Sequence, residues 1–222
     1  MTLVLLHALP LDPRMWTPQV AALDEPAVAP TLYDLPGESM DTWAAAVLEA
    51  VEGRLLLVGA SMGGYCALAA ARRAPERVAG LVLVGSRAEA DPPERRQARE
   101  EQLRTIAEGG AAALWESMAP RLFAAGTDSA IVDAAREIAL EQPPDGLARA
   151  VRAIRDRKDC RDVLAALGDR SLAVLGEEDS FAPPAEVEAP HVLVVPGAGH
   201  LVGLERPEEV TGVLRDALGR WT

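Results

Sequence analysis

Six short apolar runs, separated by segments of helical character, constrain the fold of this chain more than any other feature. Each run is rich in leucine or β-branched residues and ends at Gly, Pro or Asp, which is typical of strands buried on both faces. The runs are TLVLLHA, AVAPTLYDL, RLLLVGAS, VAGLVLVGS, SLAVLGEED and HVLVVPGAG. Because strands and helices alternate, the sequence predicts an α/β protein with a parallel, doubly wound sheet of about six strands.

Helices are predicted between most of the runs, at about residues 14–24, 41–53, 62–73 and 206–219. The alternation fails between Gly85 and Asp159, where no strand pattern occurs and apolar residues such as Ile106, Leu114 and Trp115 recur at helical spacing. This long stretch is therefore predicted to be helical throughout.

The helical stretch divides the predicted architecture into two parts. Residues 1–88 and 160–222 would form the α/β core, and residues 89–159 would be an inserted helical cap over one end of the sheet. Ordinary helical packing without substrate contact is the alternative interpretation of the insertion.

Net charge and cysteine spacing argue against a nucleic-acid partner, a zinc site and a disulfide. The formal charge of −12 repels nucleic acid, and arginines alternate with acidic residues rather than forming a basic patch. Cys66 and Cys160 lie far apart without metal-ligand spacing, so neither a zinc site nor a disulfide is expected. Nothing in the sequence calls for a metal or an organic cofactor.

The chain lacks a basic leading segment, and no apolar run approaches the roughly 20 residues that a membrane-spanning helix needs. We therefore expect a cytoplasmic protein without a membrane partner. The sequence leaves a homo-oligomer open.

The third apolar run leads into GASMGG, residues 59–64, and then into an alanine-rich segment. A strand that ends in Gly-x-Ser-x-Gly before a helix predicts a turn so tight that only glycines fit around Ser61. Such a turn exposes the Ser61 hydroxyl at the carboxyl end of the strand. A serine hydroxyl becomes a good nucleophile only when a base takes its proton.

The chain has three histidines that could be this base. His191 opens the last strand and so lies at the wrong edge of a parallel sheet. His7 follows the first strand, at the right edge, but belongs to a loop with a different predicted role. His200 follows the last strand at the same edge as Ser61 and is the predicted base.

A carboxylate is needed to orient such a histidine and to stabilise its protonated ring. Three acids follow the fifth strand in sequence, Glu177, Glu178 and Asp179. Asp179 is favoured because its shorter side chain lies further round the turn, and the two glutamates remain alternatives.

Acyl transfer also needs donors for the oxyanion of the tetrahedral intermediate. The backbone N–H of Met62, at the start of the helix after Ser61, is one candidate, and that of Leu9, in the loop HALPLD after the first strand, is the other. The alternative for both residues is that they only pack.

Together these segments resemble the α/β-hydrolase fold family almost from end to end. LLHALPLDPRMW resembles its oxyanion segment, GASMGGYCALAAARRAPERVAGLVLVGS its nucleophile elbow, and VVPGAGHLVGLERPEEV its histidine segment. SRAEADPPERRQAR resembles the start of the cap in esterases and lactonases near 3-oxoadipate enol-lactonase. Chain order Ser, Asp, His is that of the family.

The chain also departs from the family pattern. Ala8 stands where the family usually has glycine, and Met1 lies at the start of the strand that is normally the third. The resemblance therefore implies six parallel strands, in the spatial order 2-1-3-4-5-6, rather than the family's eight. The run AVAPTLYDL would be an edge strand, a position that tolerates Pro30.

The resemblance implies a serine hydrolase that cleaves a small carboxylic ester or lactone through a Ser61–His200–Asp179 triad and an acyl-enzyme. Thioester cleavage, perhydrolysis, C–C hydrolysis and lyase chemistry are variants of the same chemistry. A non-catalytic small-molecule binding protein and a protein-interaction domain are the alternatives from other classes. Four arginines of the predicted cap are candidates for holding a carboxylated substrate: Arg96, Arg99, Arg121 and Arg152. A solvated helix face is the alternative interpretation of these arginines.

Overall fold

A computed structural model describes residues 1–221 and contains one sheet of six parallel strands. The strands are β1 (Thr2–Leu6), β2 (Ala27–Val28), β3 (Leu55–Ala60), β4 (Val78–Val84), β5 (Ser171–Gly176) and β6 (Val192–Val195). Their spatial order is β2-β1-β3-β4-β5-β6, and each neighbouring pair is parallel. The predicted fold class and strand order are therefore confirmed.

Helices cover both faces of the sheet. Within residues 1–221 they are α1 (Thr17–Ala22), α2 (Met40–Ala50), α3 (Met62–Arg73), α4 (Pro93–Met118), α5 (Ser129–Leu140), α6 (Pro144–Arg155), α7 (Arg161–Leu167), α8 (Val202–Glu205) and α9 (Pro207–Arg220). The helix predicted at about 14–24 is a 3-10 turn followed by the short α1. Helices α7 and α8, with seven and four residues, are too short for a clear periodic pattern in the sequence.

The core lies along the two central strands. Every residue of β3 and β4 is buried, as expected where parallel crossovers place helices on both faces. Trp221 packs against β4. Its ring lies so close to Gly80 that a Cβ on Gly80 would be 2.0 Å from the nearest ring atom. The indole N–H of Trp221 donates to the carbonyl of Asp169.

The edge strand β2 is much shorter than the apolar run that predicts it. Only Ala27 and Val28 pair with β1, because Pro30 has no N–H for a ladder. The chain then turns into a 3-10 segment at Leu32–Asp34. The predicted edge position is right, and the predicted length is wrong.

Residues 89–159 carry α4, α5 and α6 between β4 and β5. Helix α4 is broken at Gly110, whose φ of 62° lies in the region that favours glycine. Helices α4 and α6 pack against each other, and Leu114 of α4 and Leu147 and Val151 of α6 are fully buried within the main core. None of the helices in residues 1–221 is both long enough and apolar enough to cross a bilayer.

Candidate active site

The turn after β3 holds Ser61 in a strained conformation. With φ 47° and ψ −110°, Ser61 is the one non-glycine residue of positive φ among residues 1–221. Its N–H donates to the carbonyl of Val84 at 2.9 Å, and its own carbonyl accepts from the N–H of Gly64 at 3.0 Å and from Oγ of Ser86 at 2.8 Å. These bonds to β4 and its following loop hold a backbone angle that L-residues otherwise avoid.

Close packing explains the glycines around Ser61. A Cβ on Gly63 would lie 2.1 Å from the carbonyl oxygen of Leu6, and one on Gly59 would lie 2.4 Å from the backbone of Gly63. Helix α3 therefore begins directly against β1 and β3. This close approach leaves the Ser61 hydroxyl at the carboxyl edge of the sheet.

Ser61, His200 and Asp179 are joined by continuous hydrogen bonds. Nε2 of His200 lies 2.8 Å from Oγ of Ser61, and Nδ1 lies 2.9 Å from both carboxylate oxygens of Asp179. With the ring proton on Nδ1, facing the carboxylate, Nε2 is free to accept the hydroxyl proton of Ser61. The structure thus brings together the three side chains predicted from the sequence.

Asp179 is held as a carboxylate. Its Oδ1 accepts from the backbone N–H groups of Phe181 at 2.8 Å and Ala182 at 2.9 Å. Burial raises the pKa of the Asp179 carboxyl, but His200 and these two donors lower it by more, so the pKa lies below its ordinary value. The ionised form is the one that can fix the orientation of the imidazole.

The two alternative acids lie elsewhere. Oε2 of Glu177 accepts from the N–H of Gly197 at 3.0 Å, and Oε2 of Glu178 accepts from the N–H of Ala125 at 3.1 Å. Each glutamate therefore binds the backbone of a neighbouring loop. Of the three acids, Asp179 is the one in contact with His200.

The other two histidines have different surroundings. His7 is fully buried, its Nε2 accepts from the N–H of Leu32 at 2.8 Å, and its Nδ1 lies 3.1 Å from the carbonyl of Ala8. Burial lowers the pKa of His7 to about 4, so its ring is neutral. His191 is exposed and pairs with Asp169 at the opposite edge of the sheet.

Leu9 and Met62, the predicted oxyanion donors, lie close to Ser61. Leu9 lines the cavity that contains Ser61, and Met62 is the first residue of α3. Within residues 1–221, neither backbone N–H donates a hydrogen bond to another residue. Ala8 adopts an ordinary negative φ, so the alanine in place of glycine is accommodated without strain.

Glu205, which we did not single out from the sequence, holds the His200 loop in place. Its side chain is buried; Oε1 accepts from the N–H of Gly199 at 3.0 Å, and Oε2 accepts from the N–H of Ala124 at 2.8 Å and from Oγ1 of Thr127 at 2.6 Å. The sequence around Glu205 gives no sign of this role. The reason is that the contacts that bury its side chain come from a segment about 80 positions away.

A narrow cavity of about 360 Å³, including the open space at its mouth, lies over Ser61 and His200. The core contributes Leu9, Ser61, Tyr65, Phe181 and His200 to its lining, and the helical segment contributes Arg95, Arg99, Met118 and Ile154. Among the arginines named from the sequence, Arg99 therefore reaches the site. Arg95, four residues earlier on the same helix face, also reaches it and was missed.

The other three arginines do not line this cavity. Arg96 pairs with Asp156 on the surface, the guanidinium carbon of Arg121 lies 4.2 Å from the centre of the Phe181 ring, and Arg152 is exposed. Among residues 1–221, no group of three or more His, Cys, Asp or Glu side chains is arranged to hold a metal ion.

Comparison with known families and curated proteins gives consistent matches. The model of the Alpha/beta hydrolase family matches residues 3–213. The bifunctional biotin biosynthesis protein BioHC of Cellvibrio japonicus is 29% identical, over 96% of this chain and 47% of that protein. The pimeloyl-[acyl-carrier protein] methyl ester esterase of Shewanella woodyi is 35% identical over 92 residues, which cover 38% of this chain and 35% of the esterase. The chain thus spans about half the length, or less, of the curated relatives it matches.

Solved structures share the whole fold. A thermophilic esterase from Thermogutta terrifontis, with malate bound, has a TM-score of 0.86 and 28% identity, covering 100% of this chain and 90% of that one. The enol-lactonase of Burkholderia xenovorans LB400 has a TM-score of 0.79 and 24% identity, covering 99% and 91%. At 24% identity, the similarity to the lactonase shows a shared fold and nothing further.

Proposed function

Because the chain belongs to the Alpha/beta hydrolase family, we propose that it is a carboxylic ester hydrolase acting through Ser61, His200 and Asp179. The observation that carries the proposal is the hydrogen-bonded line from Oγ of Ser61 through His200 to Asp179. It ends in a hydroxyl that lines a narrow cavity between the core and the helical segment.

In the first half of the reaction, Ser61 Oγ attacks the carbonyl carbon of the ester while Nε2 of His200 takes its proton. Asp179 keeps the other ring proton on Nδ1 and stabilises the imidazolium that forms. The carbonyl oxygen becomes an oxyanion, for which the N–H groups of Leu9 and Met62 are the proposed donors. Each such donor contributes on the order of a hundredfold or more in rate.

The second half releases the products. His200 returns its proton to the leaving alcohol oxygen, and the acyl group remains on Ser61 as an ester. A water molecule then attacks the acyl carbon while Nε2 of His200 takes one of its protons. The bond from the acyl carbon to Oγ of Ser61 breaks, His200 returns the proton to Oγ, and the carboxylic acid leaves. The route needs no group beyond these side chains and backbone donors.

We further propose that residues 89–159 form the cap of this site. Met118 and Ile154 contribute apolar surface to the cavity from α4 and α6. Such surface excludes water, which strengthens the electrostatic interactions at Ser61. The narrow space favours small substrates over long acyl chains.

The relatives support the ester class. Proteins named as a methyl ester esterase and a thermophilic esterase are among those that the chain matches at 25% identity or more. An ester is therefore favoured over a lactone as the substrate.

Hydrolysis of p-nitrophenyl esters from acetate to decanoate, by the natural chain and by Ser61→Ala, tests the proposal. We expect turnover of the short esters, with an early burst of about one equivalent of p-nitrophenol per enzyme. The burst should be absent in Ser61→Ala and present in Ser171→Ala, which removes a buried hydroxyl at the other end of the sheet. Equal rates in the Ser61 variant and the natural chain would rule the proposal out.

A further inference from the structure

Two arginines lie in the cavity above Ser61. Arg95 and Arg99 are four residues apart on α4, so they lie on one face of the helix, and both line the space that contains Ser61 and His200. The guanidinium group of an arginine normally lies in water. Here the side chain of Arg99 is only 13% exposed and that of Arg95 only 28%.

Within residues 1–221, both guanidinium groups have hydrogen-bond donors without a partner. Nε of Arg99 donates to Oδ2 of Asp91 at 3.0 Å and Nη1 donates to Gln102 at 2.9 Å, which leaves Nη2. Nη1 of Arg95 donates to the carbonyl of Phe181 at 3.0 Å. Nη2 of Arg95 lies 3.6 Å from the nearest carboxylate oxygen, that of Glu186, which is too far for a hydrogen bond.

The acids that pair with the arginines around this cavity are fewer than the arginines. Asp91 is fully buried, but Arg99 and Arg157 share it, at 3.0 and 2.6 Å. Arg95 and Arg87 share Glu186, whose side chain is 58% exposed and so is strongly screened by water. Glu89, 3.6 Å from Arg87, is the third acid that pairs with these four arginines, and the Asp179 carboxylate nearby pairs with His200 instead.

This imbalance acts on Arg95 itself. Burial, and then the charges of Arg87 and Arg99, lower the pKa of Arg95 below its ordinary value. An anion placed between Arg95 and Arg99 would relieve this repulsion. It would also accept the donors that the protein leaves unused.

Resting on the proposed ester hydrolysis, we propose that the substrate is an anionic ester, with an ionised carboxylate that Arg95 and Arg99 bind beside the Ser61 hydroxyl. The planar guanidinium matches a carboxylate with two parallel hydrogen bonds. The cavity that Ser61 shares with both arginines is narrow, so a short half-ester of a dicarboxylic acid is the simplest substrate of this class. Arg95 is the main determinant, because Arg99 is already committed to Asp91.

The kinetic test compares two methyl esters of similar length, monomethyl glutarate, which is anionic, and methyl hexanoate, which is neutral. In Arg95→Gln we expect the ratio of kcat/KM for the anionic ester to that for the neutral one to fall about tenfold or more, mainly through KM. The matched control is Arg104→Gln, on the same helix, where the side chain is exposed and pairs with Glu101. It should leave the ratio unchanged.

Binding separates this inference from the proposed function. Calorimetry with glutarate on Ser61→Ala should show binding that is lost when Arg95→Gln is added, whether or not either ester is turned over. An unchanged ratio in Arg95→Gln, together with glutarate binding that is absent or independent of Arg95, would overturn the inference. Ester turnover that does not need Ser61 would instead refute the proposed mechanism.

Discussion

Nε2 of His200 lies 2.8 Å from Oγ of Ser61, although 139 positions separate the two residues in the chain. Parallel pairing brings the ends of β3 and β6 to one edge of the sheet, and separate buried contacts then hold each loop. Ser86 and Val84 hold the backbone of Ser61, whereas Leu122 accepts the N–H of His200 at 3.0 Å.

Replacing Asp179 with Asn should reduce kcat by about a hundredfold or more, because an amide cannot hold the neutral His200 ring in the required tautomer or stabilise its protonated form. Glu178→Gln is the matched control, since Glu178 contacts the backbone of Ala125 and not His200. Steady-state hydrolysis of p-nitrophenyl acetate by both variants is the measurement. A larger loss in Glu178→Gln than in Asp179→Asn would reverse the assignment of the acid.

Glu205→Gln should lower the free energy of unfolding by about 2–4 kcal/mol. Both carboxylate oxygens accept from donors, so an amide must turn its NH₂ toward one of them. Activity should fall as well, since Gly199 precedes His200. Urea unfolding of this variant beside Glu209→Gln, an exposed glutamate of α9, tests the effect. Equal stability of the two variants would contradict it.

Gly63→Ala should destabilise the chain by about 3 kcal/mol, the upper end for an overpacked core. The new methyl would lie 2.1 Å from the carbonyl oxygen of Leu6, which is backbone and cannot move aside cheaply. Gly212→Ala, in α9 with no atom within 4 Å of the new Cβ, should instead stabilise by up to about 1 kcal/mol. Thermal unfolding of both variants is the measurement, with a lower melting temperature expected for Gly63→Ala and a higher one for Gly212→Ala. An unchanged melting temperature in Gly63→Ala would refute the close packing of α3 against β1.

Stability should fall as the pH drops from about 6.5 to about 4, in part because of His7. Its folded pKa is lowered from 6.5 to about 4, so over this range the unfolded chain binds a proton that the folded chain excludes. At 1.36 kcal/mol per pKa unit, the contribution that is lost amounts to roughly 3 kcal/mol. Above pH 6.5 it is fully present.

The measurement is urea unfolding between pH 7 and 4.5 for the natural chain, His7→Gln and the exposed-site control His191→Gln. The change in unfolding free energy with pH should be smaller in His7→Gln than in the other two. Parallel curves for all three proteins would show that His7 does not carry this dependence.

Much of the architecture follows from local patterns. Nearly continuous apolar runs indicate buried parallel strands, whereas their spatial order, which agrees with the structure, was implied by the family resemblance. The residues placed directly after those strands, Ser61, Asp179 and His200, had to lie at one edge, because the carboxyl ends of parallel strands meet there. Sequence reasoning could therefore nominate these three side chains without knowing any distance.

The sequence by itself determined the order of strands and helices, the tight turn at Ser61 and the edge where the site lies, since these depend on hydrophobic pattern and on glycine. Tertiary structure alone decided where the two alternative acids lie, since Glu177 and Glu178 bind neighbouring loops and Asp179, which the sequence favours, contacts His200. It also decided that Arg95 lines the cavity while its neighbour Arg96 pairs with Asp156 on the surface. The physical reason is that a long polar side chain ends where distant segments leave it a partner, and no local pattern records those segments.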